Sequence, residues 1–261
     1  MSQDALSAKE LRRTIRSGQW TGQTSGAASG FVQANLVMLP ADSAFDFLLF
    51  CTRNPKPCPI LDVLEPGQTE PAIASGADVR TDLPRYRVFR EGKLDLETED
   101  VTAFFDKDTV TFLLGCSFSF EKALQAAGVP IRNIDQGTNV SMYETNQPCR
   151  SAGVFSSNLV VSMRPMLPKD AVRAVQVTTR FHLTHGAPVH IGSPADLGIE
   201  DLDRPDFGDP VPIHSGEVPV FWACGVTSTL AALSPRLPLV ITHAPGHMFV
   251  SDLEDEEMAI F

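Results

Sequence analysis

The chain has 261 residues, enough for one large domain or two smaller ones, and its 43% hydrophobic share supplies a core of ordinary size. A formal net charge of −11 repels a phosphate backbone, so nucleic acid is not an expected partner. Five irregularly spaced cysteines (Cys51, Cys58, Cys116, Cys149, Cys224) form neither a disulfide framework nor a C-x-x-C motif. Residues 1–19 are polar and charged, without the apolar stretch of a secretory signal, and no apolar run approaches bilayer length. A cytoplasmic chain with no membrane partner is therefore expected.

In chain order, Ser7-Ala8-Lys9-Glu10 is a capping-box pattern, and with Leu11 and Ile15 it predicts a short helix ending near Gly18. Gly22, Gly26 and Gly30 then punctuate a Ser/Thr stretch that reads as a flexible or anion-cradling loop. Residues 31–39 are apolar up to Pro40, and residues 41–51 read as a helix. Pro55, Pro57 and Pro59 make the next stretch a rigid extended loop. Residues 66–84 are turn-rich, and 85–89 alternate as a strand does.

The clearest unit covers residues 109–128. Val110, Phe112, Leu113 and Leu114 form a short buried strand. Gly115-Cys116-Ser117 turns the chain, and Phe120, Ala123, Leu124 and Ala127 fall on one face of a helix stopped by Gly128 and Pro130. Residues 132–150 are polar and irregular. Residues 154–163, 189–191, 218–222 and 239–242 are further strands, with helices at 169–179 (Pro168 in its first turn) and 225–233. Strands alternating with helices predict an α/β architecture in parallel order.

Two strand-to-helix turns share a plan: Gly115-Cys116-Ser117-Phe118-Ser119 and Ala223-Cys224-Gly225-Val226-Thr227. Each sets a Cys, a Gly and hydroxyl groups where N–H donors favour an anion. His243-Ala244-Pro245-Gly246-His247 follows the strand at 239–242. Its Pro-Gly forbids a helical metal pair and leaves His243 and His247 as proton-transfer candidates. His182, His185 and His190 lack the spacing of a metal site, so neither metal nor cofactor is expected. Arg53 with Asn54, and Arg164 before Pro165, read as carboxylate-binding groups; Asn139 and Tyr143 lie in the polar 132–150 segment, read as a binding loop. Glu121, in the first turn of its helix, reads as a dipole partner.

Eight blocks spread from residue 30 to residue 253 carry a resemblance: GFVQANLVMLP, FCTRNPKPCPILDV, DVRTDLPRYRV, FLLGCSFSFEKAL, VVSMRP, HGAPVHIG, PVFWACGVT and ITHAPGHMFVSDL. Together they resemble the D-glutamate cyclase family, whose bacterial members are called hydro-lyases. Ser228-Thr229 departs from the Pro-Gln of the family pattern. The resemblance implies a three-layer α/β/α main domain with a smaller α+β domain; the helix ending near Gly128 and the strand at Val189 place the main domain at 1–128 with 189–261 and the smaller one at 129–188. It also implies conversion of D-glutamate to 5-oxo-D-proline and water, with an acidic amino acid or dicarboxylate as the small-molecule partner. The alternatives are another hydro-lyase or an amidohydrolase on such a substrate, or a non-catalytic binding protein. The family supplies no catalytic residues to carry over, and a homo-oligomer is left open.

Such a ring closure needs proton transfer and oxyanion donors, and two substrate carboxylates need N–H-rich or cationic sites. The assignment made from sequence gives Arg53 and Arg164 to the carboxylates. N–H and hydroxyl donors come from the Cys116/Ser117/Ser119 and Cys224/Thr227 turns, with the two thiols held as catalytic candidates. Proton transfer falls to His243 or His247, and substrate orientation to Asn54, Asn139 and Tyr143.

Overall fold

The structure, a computed structural model, describes residues 6–259. The first helix, α1 (Ala8–Arg16), starts at the predicted capping box: the Glu10 amide donates to Ser7 Oγ at 3.3 Å and the Ser7 amide to Glu10 Oε2 at 2.9 Å. Then come β1 (Phe31–Pro40), α2 (Ala41–Arg53), β2 (Ile60–Val63), the hairpin of β3 (Tyr86–Arg90) and β4 (Lys93–Thr98), and β5 (Thr109–Gly115). A 3-10 turn over Ser117–Phe120 leads into α3 (Glu121–Ala126), so the helix predicted from Phe120 begins in tighter form. The rest are α4 (Arg132–Gln136), β6 (Ser141–Pro148), β7 (Asn158–Met166), α5 (Pro168–Thr178), β8 (His190–Ile191), β9 (Val218–Ala223), α6 (Val226–Leu233), β10 (Val240–His243) and β11 (Phe249–Glu254).

The class is α/β, with two sheets. Strand direction departs from the sequence reading: every ladder between the described strands is antiparallel. The intervening helices do not carry the chain between neighbouring parallel strands. They cap sheet faces, while β1 takes partners from distant sequence. The segment at 132–150 also differs from expectation, because it contains α4 and β6. Its buried Met142 and Tyr143 are too few among polar neighbours to show an apolar period.

The larger sheet runs β2-β5-β1-β10-β3-β4, with β11 also on β1. One face packs Val37, Phe112 and Val240 against Phe47 and Phe50 of α2 and Ala231 of α6. On the other face Leu36, Leu113 and Ile241 lie under Leu64, Val79 and Leu83. That cover is the turn-rich chain around 64–84, where a regular third layer would place helices. Tyr86 pins it, donating to the Val79 carbonyl at 2.7 Å and accepting from the Leu83 amide at 3.1 Å.

The smaller sheet runs β6-β7-β9-β8, so its strands reach residue 223 and are not confined to 129–188. Phe120 and Leu124, with Ala171 and Ala174 of α5, pack on its Met166, Val220 and Trp222.

One edge detail positions the site. β10 pairs with Val37 and Met38 of β1, and β11 takes up the same strand at Phe31, Gln33 and Ala34. The Ala244-Pro245-Gly246-His247-Met248 stretch loops out between them. At this gap the Leu36 amide turns to a side chain, donating to Nδ1 of His243 at 3.2 Å.

Candidate active site

Beside that gap the two sheets meet in a narrow cleft of roughly 30 Å3. Cys116, Ser117 and Phe118 of the first turn line it, and so do Cys224 and Val226 of the second. Asn139 and Met142 enter from the start of the smaller sheet; His243 comes from the end of β10, Gly246 and Met248 from the loop that follows it, and Asn35 from β1. Five residues singled out in the sequence therefore converge: Cys116, Ser117, Asn139, Cys224 and His243. The remaining seven do not line the cleft.

Backbone amides of both turns act on the thiols. The Phe118 N–H at Cys116, and those of Val226 and Gly225 at Cys224, draw each thiol pKa down. Burial opposes this and wins, pushing Cys116 up to about 12 and Cys224 to about 11. Both are protonated thiols at neutral pH, which argues against the nucleophilic role considered for them. The Cys224 thiol lies 3.5 Å from the Met142 sulfur.

His243 is buried, and burial lowers its pKa to about 4. Nδ1 lies 3.2 Å from the Leu36 amide nitrogen and 3.4 Å from the Leu36 carbonyl oxygen, so the ring is held to β1 through this one nitrogen. This histidine is a neutral hydrogen-bond donor. His247, half-buried in the same loop, bonds through Nδ1 to the Pro245 carbonyl at 2.9 Å.

Asn35 was passed over in the sequence. Its signal was an amide inside the apolar run FVQANLVMLP. Nδ2 donates to the Gly115 carbonyl at 2.9 Å, which fixes the side chain between the two turns. Gly225 leaves the room: a Cβ there would sit 2.1 Å from Asn35 Nδ2. Asn139 holds its own end of the cleft. Its amide donates to Asp209 Oδ2 at 2.8 Å, and its Oδ1 accepts from the Val140 amide at 2.9 Å.

Arg164 is not presented to a ligand. Only 1% exposed, it forks onto Glu121 Oε1, Ser117 Oγ at 3.3 Å and Ser162 Oγ at 3.2 Å, beneath Phe120 and Trp222. Its carboxylate partner is internal, and it reaches the cleft only through Ser117. Glu121 correspondingly does more than face a helix dipole; burial raises its pKa and Arg164 opposes that. Ser119 Oγ accepts from the Gln33 amide at 3.1 Å, and Thr227 Oγ1 from the Val160 amide at 2.9 Å, so both hold backbone behind the turns.

Three further candidates lie elsewhere. Arg53 donates to the Ser151 carbonyl, and Asn54 exchanges hydrogen bonds with the backbone of Arg150; both tie the end of α2 to the loop after β6. Tyr143 packs with Val161 and Phe221 and donates to the Leu202 carbonyl at 2.7 Å. The cleft lining thus contains no Lys or Arg, and its donors are neutral. Among the described residues no group of three or more His, Cys, Asp or Glu is placed to hold a metal, and no helix is long and apolar enough to cross a membrane.

A model of the D-glutamate cyclase family matches residues 110–252, a span that takes in both turns and His243. The relative named "Putative hydro-lyase" from Syntrophobacter fumaroxidans is 60% identical over 255 residues, covering 97% of each chain. "Putative hydro-lyase YcsI" from Bacillus subtilis is 55% identical over 256 residues, covering 98% of this chain and all of its own. Among solved structures, a nitrogen repressor-like protein from Methanococcus jannaschii aligns over 93% of this chain and 97% of its own, with a TM-score of 0.39 and 10% identity, too slight to carry an argument. By the family match and these full-length relatives, the chain belongs to the D-glutamate cyclase family.

Proposed function

We propose that this chain is a hydro-lyase that closes D-glutamate into 5-oxo-D-proline with release of water, and that the reaction takes place in the cleft between the two cysteine-bearing turns. The observation that carries this reading is the meeting of two N–H-rich turns, Asn139 and the neutral His243 in one small cavity. The family match supports the reaction class.

The balance of the reaction suits a site without strong acids or bases. The substrate ammonium gives up two protons as its nitrogen bonds to the side-chain carboxyl carbon, and the departing oxygen leaves with both as water. No net proton passes to the enzyme, so the protein has to fold the chain, stabilise the tetrahedral oxyanion and relay protons. In this reading His243, in the tautomer that carries its proton on Nε2, donates to the oxyanion. The Ser117 hydroxyl, which accepts from Arg164, donates to the α-carboxylate. Asn35 and Asn139 fix the amine.

One observation favours a second reading. A lining without Lys or Arg suits a substrate with less anionic charge than a dicarboxylate, so dehydration of another small amino acid is the alternative. Incubating the purified protein with D-glutamate, L-glutamate and a panel of small D- and L-amino acids, with mass detection of water loss, tests both. Turnover of D-glutamate above all others is the expected result, and turnover only elsewhere in the panel selects the second reading. Ligand-induced stabilisation without any turnover would sink both.

A further inference from the structure

The glycine-punctuated loop before β1 is not used by the cleft. Beneath it lies another small cavity of roughly 40 Å3, lined by residues 26–31, Gln33, Glu121, Lys122 and Asp255 among others. The two cavities have one lining residue in common, Phe118.

The sequence predicts a flexible or anion-cradling loop here, but what lies under it is mostly acceptors. Gln33 is 4% exposed, and its amide nitrogen donates to the Thr24 carbonyl at 2.8 Å and faces the Ala27 carbonyl at 3.4 Å. Those two bonds fix which end is nitrogen, and Oε1 is left buried without a partner. Asp255 is 5% exposed, and its Oδ1 is likewise buried without a partner. Burial raises its carboxyl pKa to about 7, with Lys122 pulling the other way. Glu121 is already engaged by Arg164. Exposed Lys122 lies against the loop at Gly30, where φ is +99° and a Cβ would meet Nζ at 2.8 Å.

Two unsatisfied buried oxygens on residues that line one cavity are costly unless a donor-rich group reaches them, since each lost hydrogen bond costs about 1–3 kcal/mol. A metal is poorly served by two oxygens from one carboxylate and one amide. An ammonium group has three donors for them, and the nearby lysine suits an anion on the same molecule.

We propose that this cavity is a second small-molecule site, specific for an α-amino acid, with its ammonium group on Asp255 and Gln33 and its carboxylate at Lys122. The site is separate from the cleft and does not depend on what reacts there. Glycine is the smallest probe, with methylammonium chloride lacking the carboxylate and potassium acetate lacking the amine. Thermal denaturation titrations at constant ionic strength give an apparent Kd for each. Glycine is expected to stabilise the protein more than either control, with affinity at least tenfold weaker in Asp255→Asn and at least fivefold weaker in Lys122→Met. Lys122 is exposed, so its variant keeps the test available if Asp255→Asn misfolds. Equal stabilisation by all three solutes, or unchanged glycine affinity in the variants, overturns the proposal.

Discussion

The Leu36 amide donates to Nδ1 of His243 across the gap that β10 and β11 leave along β1. The Leu36 backbone, whose carbonyl also lies 3.4 Å from Nδ1, thereby fixes the ring orientation and leaves Nε2 turned away from this contact. His243→Asn is expected to lower kcat by about 10²-fold or more, the range seen when one oxyanion donor is removed. The change in KM should be small. A KM effect with kcat intact would instead make His243 a ground-state contact.

The same burial couples folding to pH. His243 and His185 both have folded pKa values near 4, below the ordinary value of 6.5, because burial penalises the imidazolium. The unfolded chain binds more protons between those values, so this contribution is complete above about pH 6.5 and is lost as pH falls toward 4. Each site would contribute on the order of 3 kcal/mol across that window. Asp255, raised to about 7, acts with the opposite sign. The decisive quantity is therefore the difference in urea-unfolding free energy between the wild type and His185→Asn. It should shrink from pH 7 to pH 4; a constant difference would contradict the assignment.

Arg164 and Glu121 form a buried ion pair behind Ser117. Arg164→Met leaves the carboxylate buried and unpaired, at an expected cost of about 3–5 kcal/mol. Arg164→Met with Glu121→Leu should recover most of that stability in denaturant unfolding. Because Ser117 loses its donor either way, activity should not recover with it. If the double variant regained full activity, Arg164 would have no part in positioning Ser117.

The cysteines of the two turns are read as packed, protonated groups. Cys116→Ser and Cys224→Ser should each retain turnover within about tenfold of wild type, since neither thiol acts as a nucleophile. Mass spectrometry after iodoacetamide treatment of the folded protein at pH 7.5 should find both thiols unmodified. Rapid alkylation of either one, with matching loss of turnover, would contradict this.

Gly225 makes room for Asn35. Gly225→Ala forces the amide out of the cleft, and overpacking of this kind costs about 1–3 kcal/mol. The expected outcome is a modest fall in Tm with a loss of turnover larger than that of Asn35→Ala. Wild-type kinetics from Gly225→Ala would show that the close approach has no functional role.

Much of this protein was legible in its residues. The capping box at Ser7, the buried strand at Val110 and its following turn, the Pro168 helix start and the matching turn at Cys224 are local matters of propensity and period, and they stand where the sequence put them. The family was legible too, because eight blocks along the chain carry it. Strand direction was not, since alternation of strand and helix does not say which edge of β1 each strand will take. Nor did residue type alone distinguish Arg164, whose partner Glu121 lies 43 residues away in sequence, from an arginine awaiting a ligand. Tyr143 and Arg53 looked equally suited to a substrate, and tertiary contacts engage both with backbone carbonyls instead. Asn35 shows the reverse case, a polar side chain that only the close approach of Gly115 and Gly225 places in the cleft. Sequence determined the chemistry available at each turn. Folding decided which groups face one another, because burial and pairing are set by contacts between residues far apart along the chain.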